Sequence, residues 1–356
     1  MTPSIRIGDS TIGLGHPTYF IADIAANHDG DLERAKALIN SCAKAGANAA
    51  KFQNFRAETI VSEVGFKALG SQTAHQSKWK TSVVDVYQAA SLPMEWTRAL
   101  RDECENAGID YLTAPYDLAL IEDLSPFVAA WKLGSGDITW LENIERMAAD
   151  TKPLLIATGA ATLDDVHLAM DAARNFTSDI VLMQCNTNYS GSLENFGHVA
   201  LNVLKTYAVE FPDLVLGLSD HTPGHATVLG AVALGARAIE KHYTDDQDRE
   251  GPDHGFSMNP VSWKDMVDRT RELELALGTE EKRVMDNEAE TVVVQRRAVR
   301  AATAIPAGHV ITKSDLAYLR PCPTDALPPF RDGDVIGKTA ARDIEFGDCV
   351  RITDVG

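Results

Sequence analysis

The 356-residue chain lacks any CxxC pair. Its five cysteines, Cys42, Cys104, Cys185, Cys322 and Cys349, are odd in number and scattered, which argues against a disulfide framework or a thiolate zinc site and fits a reducing cytoplasm. No uncharged apolar run approaches the ~20 residues that cross a bilayer. The start, MTPSIRIGDS, lacks the basic and apolar stretches of an export signal, so a cytoplasmic chain without a membrane role is expected. Positive charge is scarce: 33 Lys and Arg face 51 Asp and Glu, a net −18. A field of that sign repels phosphate backbones and anionic lipid, so small molecules or protein subunits are the expected partners and nucleic acid is not. Low-complexity tracts are absent too, and 45% hydrophobic residues suffice for a large core.

What is present is a regular alternation. Eight short apolar runs, YFIAD (19–23), NAAKFQ (48–53), DYLTA (110–114), AWKLG (130–134), PLLIAT (153–158), DIVLMQC (179–185), LVLGLS (214–219) and RAIEKH (237–242), are separated by amphipathic segments. LERAKALINSCAKAG, closed by Gly46, is one such segment. Eight βα units predict an α/β fold, a closed (β/α)8 TIM barrel of roughly 250 residues. The doubly wound open sheet is the alternative, but no GxGxxG follows the first run. Residues 4–18 alternate about Gly8 and Asp9 and predict a hairpin capping the barrel bottom. A barrel domain over 1–279, a charged linker over 280–291 and a small second domain over 292–356, rich in Pro and Gly turns, are expected.

In such a barrel the chemistry sits at the carboxyl ends of the strands. His221 and His242 end neighbouring runs, which lie ~4.8 Å apart in a sheet, so both imidazoles can reach one ion. Two imidazoles without thiolates suit a catalytic Mn2+, Mg2+ or Co2+ better than structural zinc; the alternative is that each merely hydrogen-bonds within a crowded mouth. Lys51 and Lys132 interrupt apolar strands, where an unpaired ammonium is costly. Either they hold a phosphate or carboxylate with help from the Thr113, Ser135 and Ser219 hydroxyls, or they pair with Asp23 or Glu240, or one serves as a Schiff-base nucleophile. The long segment 54–92, with His75 and Trp79, is expected to fold over the mouth.

The stretches IADIAANHDGDLERAKALINSCAKAGANAAKFQ, YLTAPYD, WKLGSGDI, ATGAAT, GLSDHTPG, AVALGARAIEKHYTDD, GPDHGFSMNP and RRAVRAATAIPAGHVIT, with YLRP, resemble the sialic acid synthase family in sequence and in order along nearly the whole chain. Members condense phosphoenolpyruvate with an N-acetylmannosamine-type sugar; relatives making legionaminic or pseudaminic acid use a 2,4-diacetamido-trideoxyhexose. The resemblance implies a barrel followed by an antifreeze-like (SAF) domain in a domain-swapped homodimer. It implies His221 and His242 as metal ligands, and Lys51, Thr113, Lys132, Ser135 and Ser219 around phosphoenolpyruvate. Gln53, Tyr189 and Asp253 correspond to sugar contacts, and Arg320 to an arginine lent to the partner's barrel. Thr187 stands where the family has Asn, so Asn186 or Asn188 is expected to compensate. Asp23 and Asp137 stand where Glu is usual, each one methylene shorter. In the implied mechanism Asp23 or Glu240 orients the water that attacks C2.

Overall fold

The computed structural model describes residues 2–69 and 81–356. They divide into two compact units, Met1–Gly278 and Thr279–Gly356. The first opens with a hairpin of β1 (Ser4–Ile7) and β2 (Ser10–Gly13), turned at Gly8, whose φ of 53° suits a residue without a Cβ. Eight parallel strands follow and close into a barrel: β3 (Tyr19–Asp23), β4 (Ala49–Asn54), β5 (Asp110–Pro115), β6 (Trp131–Leu133), β7 (Leu154–Ala157), β8 (Ile180–Cys185), β9 (Val215–Asp220) and β10 (Ala238–His242), which pairs back with β3. The eight expected runs are these eight strands, with no end shifted by more than one residue.

The strands have two buried faces, which explains why they read as nearly continuous apolar runs. Phe20, Ala22, Phe52, Tyr111, Trp131, Ile156, Leu182, Leu218 and Ile239 face the helices. The alternate residues Tyr19, Ile21, Ala49, Leu112, Leu155, Val181, Met183, Val215 and Ala238 fill the lumen, and Ile5, Ile7 and Ile12 of the hairpin join them. The hairpin therefore plugs the amino-terminal end of the barrel, as expected. Helices such as Leu32–Lys44, N-capped by Asp31, and Pro260–Leu277, N-capped by Asn259, form the outer layer. Among the described residues no helix is long and apolar enough to cross a membrane.

The second unit pairs β11 (Ala298–Ala301) with β12 (Leu316–Leu319) around a small core of Val299, Ile305, Ile311, Leu327, Val335, Ile344 and Val350. The stretch expected as a linker, 280–291, belongs to this unit, and a helix, Ala289–Gln295, runs across the expected start at 292.

Candidate active site

Period-two alternation decides what the barrel mouth contains. Asp23, Lys51, Gln53, Lys132, Cys185, Ser219, Glu240 and His242 share the parity of the lumen residues below them, and His221 continues that parity one residue beyond β9. Four of them form a buried ion chain. Lys51 Nζ lies 2.7 Å from Asp23 Oδ2 and 3.4 Å from Glu240 Oε1, and Lys132 Nζ lies 2.7 Å from the same Oε1. Of the three expectations for these lysines, pairing with Asp23 and Glu240 is what the structure contains. The pairing answers the cost of burying four charges. Burial works to lower the Lys51 pKa, but Asp23 and Glu240 outweigh it and hold the ammonium above its ordinary range. In the same way burial would raise Glu240, and Lys132 with Lys51 instead holds it low. Ser219 Oγ donates to Glu240 Oε1 at 3.3 Å, whereas buried Oε2 has no partner.

Beside this chain lies a cavity of about 270 Å3. Gln53, Ser135, Asp137, Thr187, Tyr189, His242 and Asp253 line it, so the fold brings these expected residues together. Burial lifts Asp137 to about 6, and lifts Asp253 to about 6 although the Ala26 amide donates to it at 3.2 Å. Ser135 Oγ accepts from the Gly159 amide at 3.0 Å. A Cβ at Gly159 would stand 1.9 Å from Thr187 Oγ1, so this close approach requires glycine. Ile60, Val86, Tyr87 and Ala90 also line it. They come from two helices, Ala57–Ile60 and Val83–Ala90, of the segment expected over the mouth. His75 and Trp79 fall outside the described residues.

The rings of His221 and His242 are 5.4 Å apart, and Tyr189 packs 4.3 Å from the former. His221 Nδ1 meets the Asn186 carbonyl at 3.0 Å, which leaves Nε2 as the ring nitrogen with a lone pair. His242 Nδ1 is buried without a hydrogen-bond partner, 4.0 Å from Asp253 Oδ2. Burial pushes His242 down to about 3, reinforced by His221 and Lys51 against the pull of Asp23. A neutral imidazole with an unbonded buried nitrogen beside a second imidazole is a donor set that fits a divalent cation. Among the described residues no three His, Cys, Asp or Glu converge on one point, so two imidazoles leave further positions to water and substrate.

Three expected residues lie elsewhere. Thr113 has the parity of Tyr111 and faces the helix layer, where its hydroxyl sits 2.6 Å from Asn54 Oδ1; the expected contact with a substrate is corrected by that alternation. Asn186 contributes its carbonyl to His221, while its side chain donates to the His198 carbonyl at 3.2 Å. Arg320 is exposed immediately after β12, in the second unit. The sequence reading missed Tyr116 and Phe55 in the cavity wall and Cys185 in the lumen, buried behind the mouth. The signals were legible: Cys185 continues the parity of Val181 and Met183, and Tyr116 follows β5 inside the stretch YLTAPYD.

A model of the NeuB family matches residues 38–282, and a SAF domain model matches 296–356. The N,N'-diacetyllegionaminic acid synthase of Legionella pneumophila is 33% identical over 341 residues, 94% of each chain. The pseudaminic acid synthase of Campylobacter jejuni is 30% identical over 342 residues, 94% of this chain and 96% of that one. Among solved structures, the N-acetylneuraminic acid synthetase of Leptospira borgpetersenii, in complex with citrate, is similar with a TM-score of 0.71 and 26% identity, covering 82% of this chain and 96% of that one.

Proposed function

The chain belongs to the NeuB family, and from that premise we propose that it is a nonulosonic acid synthase. It joins C3 of phosphoenolpyruvate to the aldehyde carbon of N-acetylmannosamine or a related N-acetylated hexose and releases phosphate. The observation that supports this best is the buried Asp23, Lys51, Glu240, Lys132 chain beside the cavity. Two ammonium groups are held in fixed positions at the mouth of an acidic barrel, their charge balanced by carboxylates until an anion of greater charge arrives.

Lys51 and Lys132 bind the phosphate and carboxylate of phosphoenolpyruvate, and Asp137, Gln53, Tyr189 and Asp253 orient the sugar so that C3 faces the aldehyde carbon. When bound, a divalent cation, Mn2+ by preference with Mg2+ or Co2+ as the other candidates, supplies Lewis acidity toward the aldehyde oxygen, and His221 and His242 are the residues that would hold it. C–C bond formation leaves positive charge at C2, which water captures. Glu240 Oε2, the buried oxygen with no partner, is the atom assigned to receive that water's proton. Engagement of Lys51 and Lys132 by the anion withdraws them from Glu240 and Asp23, and so raises the basicity of both carboxylates when a base is needed. Collapse of the tetrahedral intermediate expels phosphate and leaves the C2 ketone.

A lysine Schiff-base aldolase is disfavoured, because that chemistry needs a depressed lysine pKa and Lys51 is displaced the other way. The test is phosphate release from phosphoenolpyruvate with Mn2+ and a panel containing N-acetylmannosamine and 2,4-diacetamido-trideoxyhexoses, with products weighed by mass spectrometry. Stoichiometric phosphate with at least one acceptor is expected. Phosphate from none, or covalent trapping by pyruvate and borohydride, sinks the reading. Arg320 is assigned to the barrel of a second copy in a domain-swapped homodimer. Mixing His221→Ala and Arg320→Ala chains, each inactive alone, should restore activity, because one site of the mixed dimer is intact; no recovery after exchange of subunits would refute it.

A further inference from the structure

Asp220 and Lys241 are direct partners in the β9–β10 ladder, and each immediately precedes one of the two histidines. Alternation that sends His221 and His242 into the lumen sends these two outward. There, Lys241 Nζ donates to Asp220 Oδ2 and to the Thr222 carbonyl, both at 2.5 Å. Asp220 also accepts from the hydroxyls of Thr227 (2.7 Å) and Thr222 (2.8 Å), and from the Thr222 amide at 3.2 Å. Thr227 lies in the first turn of the helix Ala226–Ala233. All four residues are buried.

Stability is a weak reason for such a cluster, since an apolar pair of similar volume serves as well as a buried ion pair. Its geometry is more informative: every bond in it ends on the tip of β9, on the tip of β10, or on the turn that leaves His221. The two faces of this corner also differ in satisfaction. Outside, both oxygens of Asp220 are engaged; on the lumen side, His242 Nδ1 and Glu240 Oε2 are not. A support in which both Asp220 oxygens are bonded, behind a histidine with an unbonded buried nitrogen, is an arrangement that preorganises an ion site.

We propose that Asp220, Lys241, Thr222 and Thr227 form a clamp that sets the separation of His221 and His242 and thereby tunes divalent cation affinity. It rests on the reading that these histidines hold such an ion. They are positioning residues, since none of them reaches the cavity. The charge-neutral double substitution Asp220→Asn with Lys241→Met keeps Oδ1 as an acceptor and leaves no unpaired charge. Mn2+ binding to the metal-stripped full chain is followed by calorimetry, alongside circular dichroism and the KM for phosphoenolpyruvate. About tenfold weaker Mn2+ binding is expected in a folded double variant, with the phosphoenolpyruvate KM little changed at saturating Mn2+. Affinity within twofold of the parent overturns the clamp. Should the double variant not fold, Thr227→Val removes only the tie to the helix and should weaken Mn2+ binding by roughly threefold; unchanged affinity there overturns the clamp equally. A parent chain whose Mn2+ binding is absent, or survives His242→Ala, removes the ion-site reading and the clamp with it, whereas normal parent binding with an unaffected variant removes the clamp alone.

Discussion

In the barrel unit, Lys51, Lys132 and Lys241 are buried together with Asp23, Asp220 and Glu240; in the second unit, Asp354 is the only buried charged residue among those described. The difference does not follow net charge. Residues 1–278 carry 22 Lys and Arg against 38 Asp and Glu, −16, and residues 279–356 carry 11 against 13, −2. It follows architecture. A closed barrel has a lumen whose lower layers are sealed by Ile5, Ile7 and Ile12 and whose mouth is lined by strand ends, so a polar residue of the right parity is buried whether or not it is paired. The small unit has no lumen. Apart from the Arg342 pair with buried Asp354, its ion pairs, such as Lys313 with Asp332, stand nearer the surface and are screened by water.

This contrast predicts the largest effect for a lumen cation. Lys132→Met leaves Glu240 with Lys51 alone, and kcat/KM for phosphoenolpyruvate should fall by about 10^2 to 10^3. The broken buried pair should also cost roughly 3 kcal/mol in stability. Phosphate release and urea unfolding measure the two, and near-parental values for both would mean that the lumen charges are idle.

Acid should single out the barrel next. His28, buried beside Trp96, is pushed down to about 4 by burial against the pull of Asp29. Its folded pKa lies below the ordinary value of 6.5. Stability is therefore complete above pH 6.5 and declines as pH falls toward 4, because only the unfolded chain takes up the proton, a loss of roughly 3 kcal/mol over that window. All five tryptophans lie in residues 1–278, so their fluorescence reports barrel unfolding. His28→Gln should flatten the pH slope, and an unchanged slope would contradict the assignment. The smallest effect is expected for Lys313→Ala, with no resolvable shift in the unfolding midpoint. A clear loss there would break the comparison.

How far the sequence was legible follows the same division. The runs ending in Asp23, Gln53, Cys185 and His242 announced strands because both faces of a barrel strand are apolar, and the order of eight announced closure. His221 and His242 were legible as a pair because neighbouring strands are a fixed distance apart. Thr113 was misassigned because a list of polar residues at strand ends takes no account of alternation, and one step along β5 turns the hydroxyl from the mouth to the helix layer. Tyr116 and Phe55 went unmarked because an aromatic beside a strand end reads equally well as core.

The sequence by itself determined the eight βα units, the hairpin plug, the change of texture into a small second unit, and the family, because each is written in local periodicity or in ordered motifs. Only the tertiary structure decided that Lys51 and Lys132 share Glu240, that Glu240 Oε2 and His242 Nδ1 are left without partners, and that Asp220 and Lys241 join behind the two histidines. Those pairings span up to 189 positions in the chain, from Lys51 to Glu240. They depend on barrel closure, which brings distant strands within a few ångströms of one another, and the choice of partners across the closed lumen is encoded in no local pattern.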